Sequence, residues 1–543
     1  MKTKTYFYFG LLLLLVGLIG LLVLDLPLRN HRSFTLISPD GESLAATYYP
    51  GSISKGVLLL EGFGSDQHML RSLVRDLAAS GLHVFTFDYS GHGYSPGALT
   101  YDNASTARLA SQVQTAMTEF QNVSGLGASQ IIWLGHSLGA RVALQSAVLG
   151  PQVPSRLVLL GAQVNLGTNA QSEFFTGTTD ADLAWVQSLN VTTPPVPILL
   201  ITGTWEDILT VEGAQLLMTK LCAAETTTCD GASPRQWVLL KNLVHNYEVY
   251  SPRVLSAASS WAFPELPIRP SLTSLRIALW FTTVIGIFMT LISSISLLRN
   301  TTTAGSLPSD ITVTNPKKLV WGRLWLWLIA LPLSGLIMFL YVLIPLPSPT
   351  FNLIYGGFLG GYGLLIFLLY WFGKMPGVTG RLRQFSTQGS SAQHGWRWAL
   401  LFNLALFAAV TLLYRSGIGL VPPMGVRFVW VLIFIPLTTL GFWLGMLEAD
   451  ALRDSAPDKP IYRLWTALIG LVPFYIYLIL LWTLGSTSGV LGSLTGLLIL
   501  ALSLLQGEIN RRLTGNALVS AVLQALLIFW LILPVGALFV PLF

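Results

Sequence analysis

The hydrophobic positions of this chain fall into three regimes. Between Tyr6 and Leu24 every residue is Tyr, Phe, Leu, Ile, Val or Gly, with no strongly polar position to mark a wet face. As a helix rising about 1.5 Å per residue, that stretch is long enough to cross the roughly 30 Å hydrocarbon core of a bilayer. From Asn30 to about Glu265 the apolar runs are short and separated by polar, turn-forming residues. After Ser274 long apolar runs return eight times, around 275–297, 320–345, 352–373, 396–414, 428–447, 463–485, 488–506 and 516–541. The pattern divides the chain into an N-terminal anchor (1–29), a globular domain (30–268) and an all-α polytopic membrane domain of eight helices (269–543), about nine crossings in total.

Within the middle regime the periodicity predicts alternating strands and helices. Ser33 to Pro50 reads as a hairpin turning at Pro39-Asp40-Gly41. Strands follow at 57–60, 83–88, 130–134, 156–160, 197–201 and 236–240, and helices at 66–79, 106–120, 211–221 and 252–261. Strands that alternate with helices imply a mostly parallel sheet covered on both faces.

Charge tests the membrane reading with residues not used to choose the spans. If the N-terminus is cytoplasmic, the inner flanks hold Lys2, Lys4, Arg299, Lys317, Lys318, Arg323, Lys374, Arg381, Arg383, Arg397, Arg453, Lys459, Arg463, Arg511 and Arg512, and the outer flanks only Arg276, Arg415 and Arg427. That asymmetry follows the positive-inside rule and places the globular domain on the extracytoplasmic side. Leu21 to Pro27 lacks an A-x-A-like cleavage site, which favours an uncleaved signal anchor over a removed signal peptide. A composition of 52% hydrophobic and 10% charged residues agrees. A multi-pass protein of a bacterial cell membrane, with membrane lipids as neighbours, is the expected address.

The net charge of +6 does not signal nucleic acid, because the basic excess lies in the membrane flanks. From Asp25 to Arg269 there are nineteen Asp or Glu against thirteen Lys or Arg, a balance that repels a phosphate backbone. The only cysteines, Cys222 and Cys229, both fall in the globular domain. An exported domain retains a disulfide, so a local loop-closing bridge is expected. The alternatives are two thiols or half of a metal site, the latter without a neighbouring His or second Cys pair.

The candidate chemistry centres on Gly135-His136-Ser137-Leu138-Gly139, which lies between a β-like run and a helix-like run. That is the strand, sharp turn and helix of a G-x-S-x-G nucleophile elbow, which lifts Ser137 Oγ clear of the sheet. A serine needs a base to take its proton and a carboxylate to hold that base. Between Ser137 and the membrane domain the only histidine is His245.

Three ordered motifs make the globular domain resemble the α/β-hydrolase superfamily: Glu61-Gly62-Phe63-Gly64-Ser65, Asp88-Tyr89-Ser90-Gly91-His92-Gly93-Tyr94-Ser95, and the elbow. The resemblance implies a serine, acid, histidine order, so that His245 is the base and the acid lies in Gly203-Thr204-Trp205-Glu206-Asp207. The G-x-x-D spacing lands on Glu206, whereas residue type prefers Asp207, with Glu206 as the alternative. It also implies an oxyanion hole from the backbone amides of Phe63 and Leu138. Glu61 departs from the family, which usually has histidine there; a carboxylate facing inward would repel an oxyanion, so Glu61 is expected to cap or pair locally. His136 and His92 read as structural neighbours of their turns.

The resemblance further places a short cap at about 162–195, where Phe174, Phe175, Leu183, Trp185 and Val186 are candidates to line an acyl pocket. The membrane domain carries few ionisable residues away from helix ends, and Gly356 to Gly361 offers a small-residue packing face, so it reads as scaffold. The function implied is that of a serine esterase or lipase acting on acyl esters through an acyl-enzyme, with no cofactor and no metal. Amide cleavage or acyl transfer by the same residues, and a sensor or lipid-handling protein with an inactive domain, are the alternatives.

Overall fold

The computed structural model describes residues 2–542 except 101–103, 163, 165–179, 208–209, 232, 267–268, 299–310, 383–392, 419–421, 457, 460, 463–471 and 485–486. Helix α1 (Lys2–Leu24) leads into an α/β domain. Its elements are β1 (Arg32–Ile37), β2 (Ser43–Tyr49), β3 (Gly56–Leu60), α2 (Arg71–Ala79), β4 (His83–Phe87), α3 (Ala104–Ser124), β5 (Ile131–His136), α4 (Leu138–Leu149), β6 (Arg156–Leu160), α5 (Asp180–Gln187), β7 (Ile198–Gly203), α6 (Val211–Cys222), β8 (Thr228–Cys229), β9 (Arg235–Leu240) and α7 (Pro252–Ala262). The helical half follows with α8 (Thr273–Leu297), β10 (Thr312–Val313), α9 (Pro316–Val342), α10 (Thr350–Trp371), β11 (Val378–Thr379), α11 (Gln393–Leu413), α12 (Val426–Ser455), α13 (Val472–Thr483), α14 (Thr487–Thr514) and α15 (Ala517–Ile532).

One sheet, ordered β1-β2-β4-β3-β5-β6-β7-β9-β8, organises the α/β domain. Strands β4, β3, β5, β6, β7 and β9 run parallel, whereas β1, β2 and β8 pair antiparallel at the two edges. The central strands are continuous apolar runs such as Val57-Leu58-Leu59-Leu60 because both faces of the sheet are covered. Alternate residues feed two cores. Leu58, Leu60, Trp133, Leu157 and Leu200 pack with α3, α4 and α6, while Val57, Leu59, Leu134, Val158 and Ile201 pack with α2 and α7. The expected helix over 66–79 begins only at Arg71, because the Asp66 carboxylate accepts the backbone N–H of His68 and holds that stretch in turns.

Among the described residues seven helices are long and apolar enough to cross a membrane: Lys2–Leu24, Thr273–Leu297, Pro316–Val342, Asn352–Trp371, Gly395–Gly417, Val426–Leu452 and Gly492–Thr514. Two further apolar helices are shorter as described, α13 with 12 residues and α15 with 16. Glycines let α10 approach its neighbours on two sides. A Cβ on Gly361 would lie 2.5 Å from the Ser334 hydroxyl of α9, and one on Gly363 2.4 Å from the Leu437 carbonyl of α12. Buried ion pairs tie the same bundle together at one end. Arg323 Nε lies 2.8 Å from the Glu448 carboxylate, which also accepts the Tyr370 hydroxyl at 2.7 Å, and Arg511 pairs with Asp450 at 2.7 Å.

The α/β domain rests on the opposite helix ends. Asp25, just past α1, pairs with Arg71 of α2 at 2.7 Å and Arg276 of α8 at 2.6 Å. Arg427, in the first turn of α12, donates to the carbonyl of Gly91 at 2.7 Å. Thus two of the three cations expected on the minority side of the helical half are consumed in holding the α/β domain against it.

Candidate active site

Strand β5 delivers Ser137 at its carboxyl end, where it enters α4 through a sharp turn. Ser137 has φ +54°, a left-handed conformation that costs a non-glycine residue about 1–3 kcal/mol unless its surroundings over-determine it. They do. Its N–H donates to the carbonyl of Leu160 at 2.8 Å, and its carbonyl accepts the first two helical bonds of α4, from Ala140 and Arg141. The flanking glycines are required by proximity: a Cβ on Gly135 would lie 2.5 Å from the Gly139 backbone, and one on Gly139 2.3 Å from the Glu61 carbonyl. The elbow is therefore wedged directly against the loop that follows β3.

His245 reaches the elbow from the other side of the sheet order. It opens a 3-10 turn, His245–Tyr250, after β9. His136, the residue before Ser137, directs Nε2 to the His245 carbonyl oxygen at 3.1 Å, and the two rings pack with centroids 4.8 Å apart. Burial pushes the His136 imidazole down to about 3, reinforced by the neighbouring His245, so His136 is a neutral donor here.

The carboxylate that the structure places against the His245 ring is that of Glu206. Both of its oxygens lie against His245 Nδ1, at 2.8 and 2.9 Å, and Glu206 is buried while Asp207 is half-buried. Of the two candidate acids, preferred Asp207 and alternative Glu206, it is Glu206 that is seen against His245 Nδ1. The cause is the loop's anchoring: Thr204 N–H donates to the Leu240 carbonyl and Trp205 N–H to the Leu243 carbonyl, which turns Glu206 inward and leaves Trp205 exposed. A glutamate reaches one methylene farther than an aspartate, and this loop uses that reach.

Glu248 is a buried member of the same cluster that sequence reasoning missed. It is fully buried, accepts the Gly203 N–H at 3.2 Å, and lies 3.8 Å from His136 Nε2. Burial, and then the nearby Glu206 charge, pushes its carboxyl well above the usual range. The signal that would have found it is His245-x-x-Glu248, one 3-10 turn apart, where side chains three residues apart eclipse. His136, His245 and Glu248 place potential ligand atoms within 4.8 Å of one another. Within that group His136 Nε2 is directed at the His245 carbonyl oxygen and His245 Nδ1 at the Glu206 carboxylate.

The loop after β3 carries Phe63, half-buried, and Leu138 is the first residue of α4, so its amide belongs to the helix N-terminus that lacks intrahelical acceptors. Glu61 turns away from the elbow: it is buried and accepts the Tyr89 N–H at 3.0 Å. Burial, and then the nearby Asp88 and Asp66 charges, push its carboxyl well above the usual range. Asp88 braces the second motif loop by accepting the N–H groups of Gln67 at 2.7 Å and Tyr94 at 2.9 Å, while Ser95 donates to the Asp88 carbonyl at 2.6 Å. His92 is buried and points Nδ1 at the Ser90 carbonyl, a structural placement. In the cap region Phe174 and Phe175 lie outside the described residues, as does the Leu183 side chain. Trp185 and Val186 are buried in the core that α3 and α4 share.

Residues 56–193 match a family model described as the alpha/beta hydrolase fold. The globular domain has that fold. The globular domain is similar to an uncharacterized protein of Mycobacterium tuberculosis, 28% identical over 219 residues that cover 40% of this chain and 72% of that protein. It is also similar to the pimeloyl-(acyl-carrier protein) methyl ester esterase of Edwardsiella ictaluri, 30% identical over 135 residues that cover 25% of this chain and 42% of that enzyme. Among solved structures, an esterase of Pyrococcus furiosus aligns at 18% identity and a TM-score of 0.31, covering 44% of this chain and 89% of its own. Cys222 and Cys229, at the far edge of the sheet, are joined as a disulfide with Cα atoms 5.8 Å apart.

Proposed function

We propose that the protein is a membrane-anchored serine hydrolase that cleaves carboxylic acyl esters on the extracytoplasmic side of a cell membrane. The observation that carries this reading is the placement of His245: its Nδ1 is fixed on the buried Glu206 carboxylate while its backbone is bonded to the residue before Ser137. With Nδ1–H held by Glu206, the imidazole presents its other nitrogen as the base, the tautomer that serine activation needs.

In this mechanism His245 takes the proton of Ser137 as Oγ attacks the ester carbonyl. The negative charge that develops on the carbonyl oxygen is met by the amides of Phe63 and Leu138. His245 then returns the proton to the departing alcohol, leaving an acyl group on Ser137. Water, deprotonated by His245, attacks this acyl-enzyme, and the released carboxylic acid and regenerated Ser137 hydroxyl complete the cycle. The esterase named among the relatives supports ester rather than amide chemistry as the first choice. The seven long apolar helices and the bias of Lys and Arg between their flanks support a multi-pass anchor, read as nine crossings with a cytoplasmic N-terminus, and an acyl lipid as the natural class of substrate.

The test is labelling of native membranes with a fluorophosphonate, comparing wild type with Ser137→Ala, followed by a survey of ester chain lengths and aminoacyl amides. Labelling that persists in Ser137→Ala, or is absent from wild type, would sink the reading.

A further inference from the structure

The loop that bears Phe63 is not held by the α/β domain alone. Beyond α15 the chain leaves the helical bundle and runs back across the domain as an extended strap. Gly536 N–H donates to the Gly64 carbonyl at 2.7 Å, Leu538 N–H to the Gly91 carbonyl at 2.9 Å, and Val540 N–H to the Leu99 carbonyl at 2.8 Å. In return the Leu538 carbonyl accepts the Leu99 N–H at 2.7 Å. The strap thus pins both the oxyanion loop and the loop from Asp88 to Leu99.

The helical half in turn pins the strap. Phe539 exchanges two backbone bonds with Ser348, in the connection between α9 and α10, at 2.7 and 2.9 Å. Arg427 of α12 is 3% exposed and spreads its guanidinium over both partners, donating to the Gly536 carbonyl at 2.8 Å and the Gly91 carbonyl at 2.7 Å. A fork of fixed geometry of this kind sets relative position better than a flexible ammonium does. The approach is close: Gly64 has φ +69°, and a Cβ there would lie 2.9 Å from the Gly536 Cα. Beside this contact the rings of Phe63 and Phe539 stand 6.1 Å apart.

Nothing in hydrolysis by Ser137, His245 and Glu206 calls for these contacts, yet they hold the loop that bears Phe63, at the neighbouring Gly64 carbonyl and at the Phe63 ring, together with the adjoining Gly91 loop. We infer that the strap Gly536–Phe539 and Arg427 are positioning elements of the active site, setting the height of the Phe63 amide, so that the helical half is required for turnover and not only for anchorage. The inference rests on the serine-hydrolase reading above. An amide displaced by about 1 Å from its productive place costs on the order of 100-fold in rate. Loss of the strap therefore acts on kcat.

The experiment uses the full-length chain in detergent micelles, with a short p-nitrophenyl ester and a fluorophosphonate as probes. Arg427→Gln and Leu538→Pro are each expected to lower kcat about 10- to 100-fold, with KM within about twofold. The pH midpoint of kcat/KM stays in place, because His245 and Glu206 are untouched, and Ser137 labelling slows by the same factor. Arg427→Lys recovers part of the rate, since it restores charge without the fork. Phe539→Ala keeps every backbone bond of the strap and is expected to cost about 3- to 10-fold; it guards against a folding failure in the proline variant. Full kcat in folded Arg427→Gln and Phe539→Ala would overturn the inference, as would a rate loss that appears as a shifted pH midpoint. Absence of Ser137-dependent labelling in wild type would instead overturn the parent reading, and the inference with it.

Discussion

His136 Nε2 lies 3.1 Å from the carbonyl oxygen of His245. A carbonyl only accepts, so the neutral His136 must carry its proton on Nε2, and the residue before the nucleophile holds the backbone of the base. The two halves of the site, one from the end of β5 and one from the turn after β9, are joined by this bond rather than by sheet packing alone.

Replacing His136 by Phe keeps a planar ring and removes the donor. The His245 carbonyl then loses its buried partner, which costs about 1–3 kcal/mol. The expected outcome is a lower melting temperature and roughly tenfold slower fluorophosphonate labelling of Ser137, by the misplacement argument. An unchanged labelling rate would show that the bond does not position the base.

Glu206→Gln should lower kcat by about 1,000- to 10,000-fold, because an amide cannot fix the His245 tautomer or stabilise its charged form. Asp207→Asn should stay within a few-fold of wild type. Esterase kinetics on the two variants side by side decides the assignment; the reverse order would return the role to Asp207.

The buried acids set a pH dependence whose sign is definite. Burial raises Glu61 well above its ordinary 4.5 and Asp88 to about 6. Each therefore stabilises the fold fully only at low pH, and its contribution is lost as pH rises through the raised value. His92 and His136 act oppositely: burial lowers them to about 4 and about 3, so their contribution is present above 6.5 and lost as pH falls toward those values. Glu61→Gln removes one of the acid contributions. Relative to wild type its melting temperature should rise as pH climbs above 4.5, and a parallel pair of curves would count against a raised Glu61.

The disulfide closes a short loop, with a sequence separation of 7 between Cys222 and Cys229. The loop-entropy relation then gives about 2.5 kcal/mol. Its place at the β8 edge, away from Ser137, means that the double Cys→Ser variant should melt earlier yet keep its kcat at 25 °C. A matching loss of kcat would place the bridge in the site's framework.

Asp25 is shared by two guanidinium groups, that of buried Arg276 and that of half-buried Arg71. Asp25→Ala leaves both cations without this partner, and breaking a buried pair in this way costs about 3–5 kcal/mol. The expected result is a large drop in thermal stability, reduced in the double variant Asp25→Ala, Arg276→Leu, which removes one of the stranded charges. Measured melting temperatures that fail to recover would show that the joint is not electrostatic.

Much of this protein is local information. Unbroken apolar runs of about twenty residues are what a long apolar helix requires, so most helices of the second half were legible from hydropathy alone. Buried parallel strands read as four- or five-residue apolar runs, and Gly135 to Gly139 announces its turn because only small residues fit where α4 crosses the β3 loop. His245 followed from being the only histidine between the elbow and the helical half. What pattern could not decide was direction and distance. Glu206 and Asp207 are neighbours of the same charge, and the choice between them depends on how Leu240 and Leu243, some 35 residues later, pin the loop backbone. Glu248 and His136 look like ordinary polar residues until the sheet order brings β5, β6 and β7 side by side. The strap is the extreme case: Gly536 meets Gly64, and Arg427 meets Gly91, across hundreds of residues. Contacts of that span leave no periodicity in the chain, because they arise from the packing of completed elements, and so only the tertiary structure decided them.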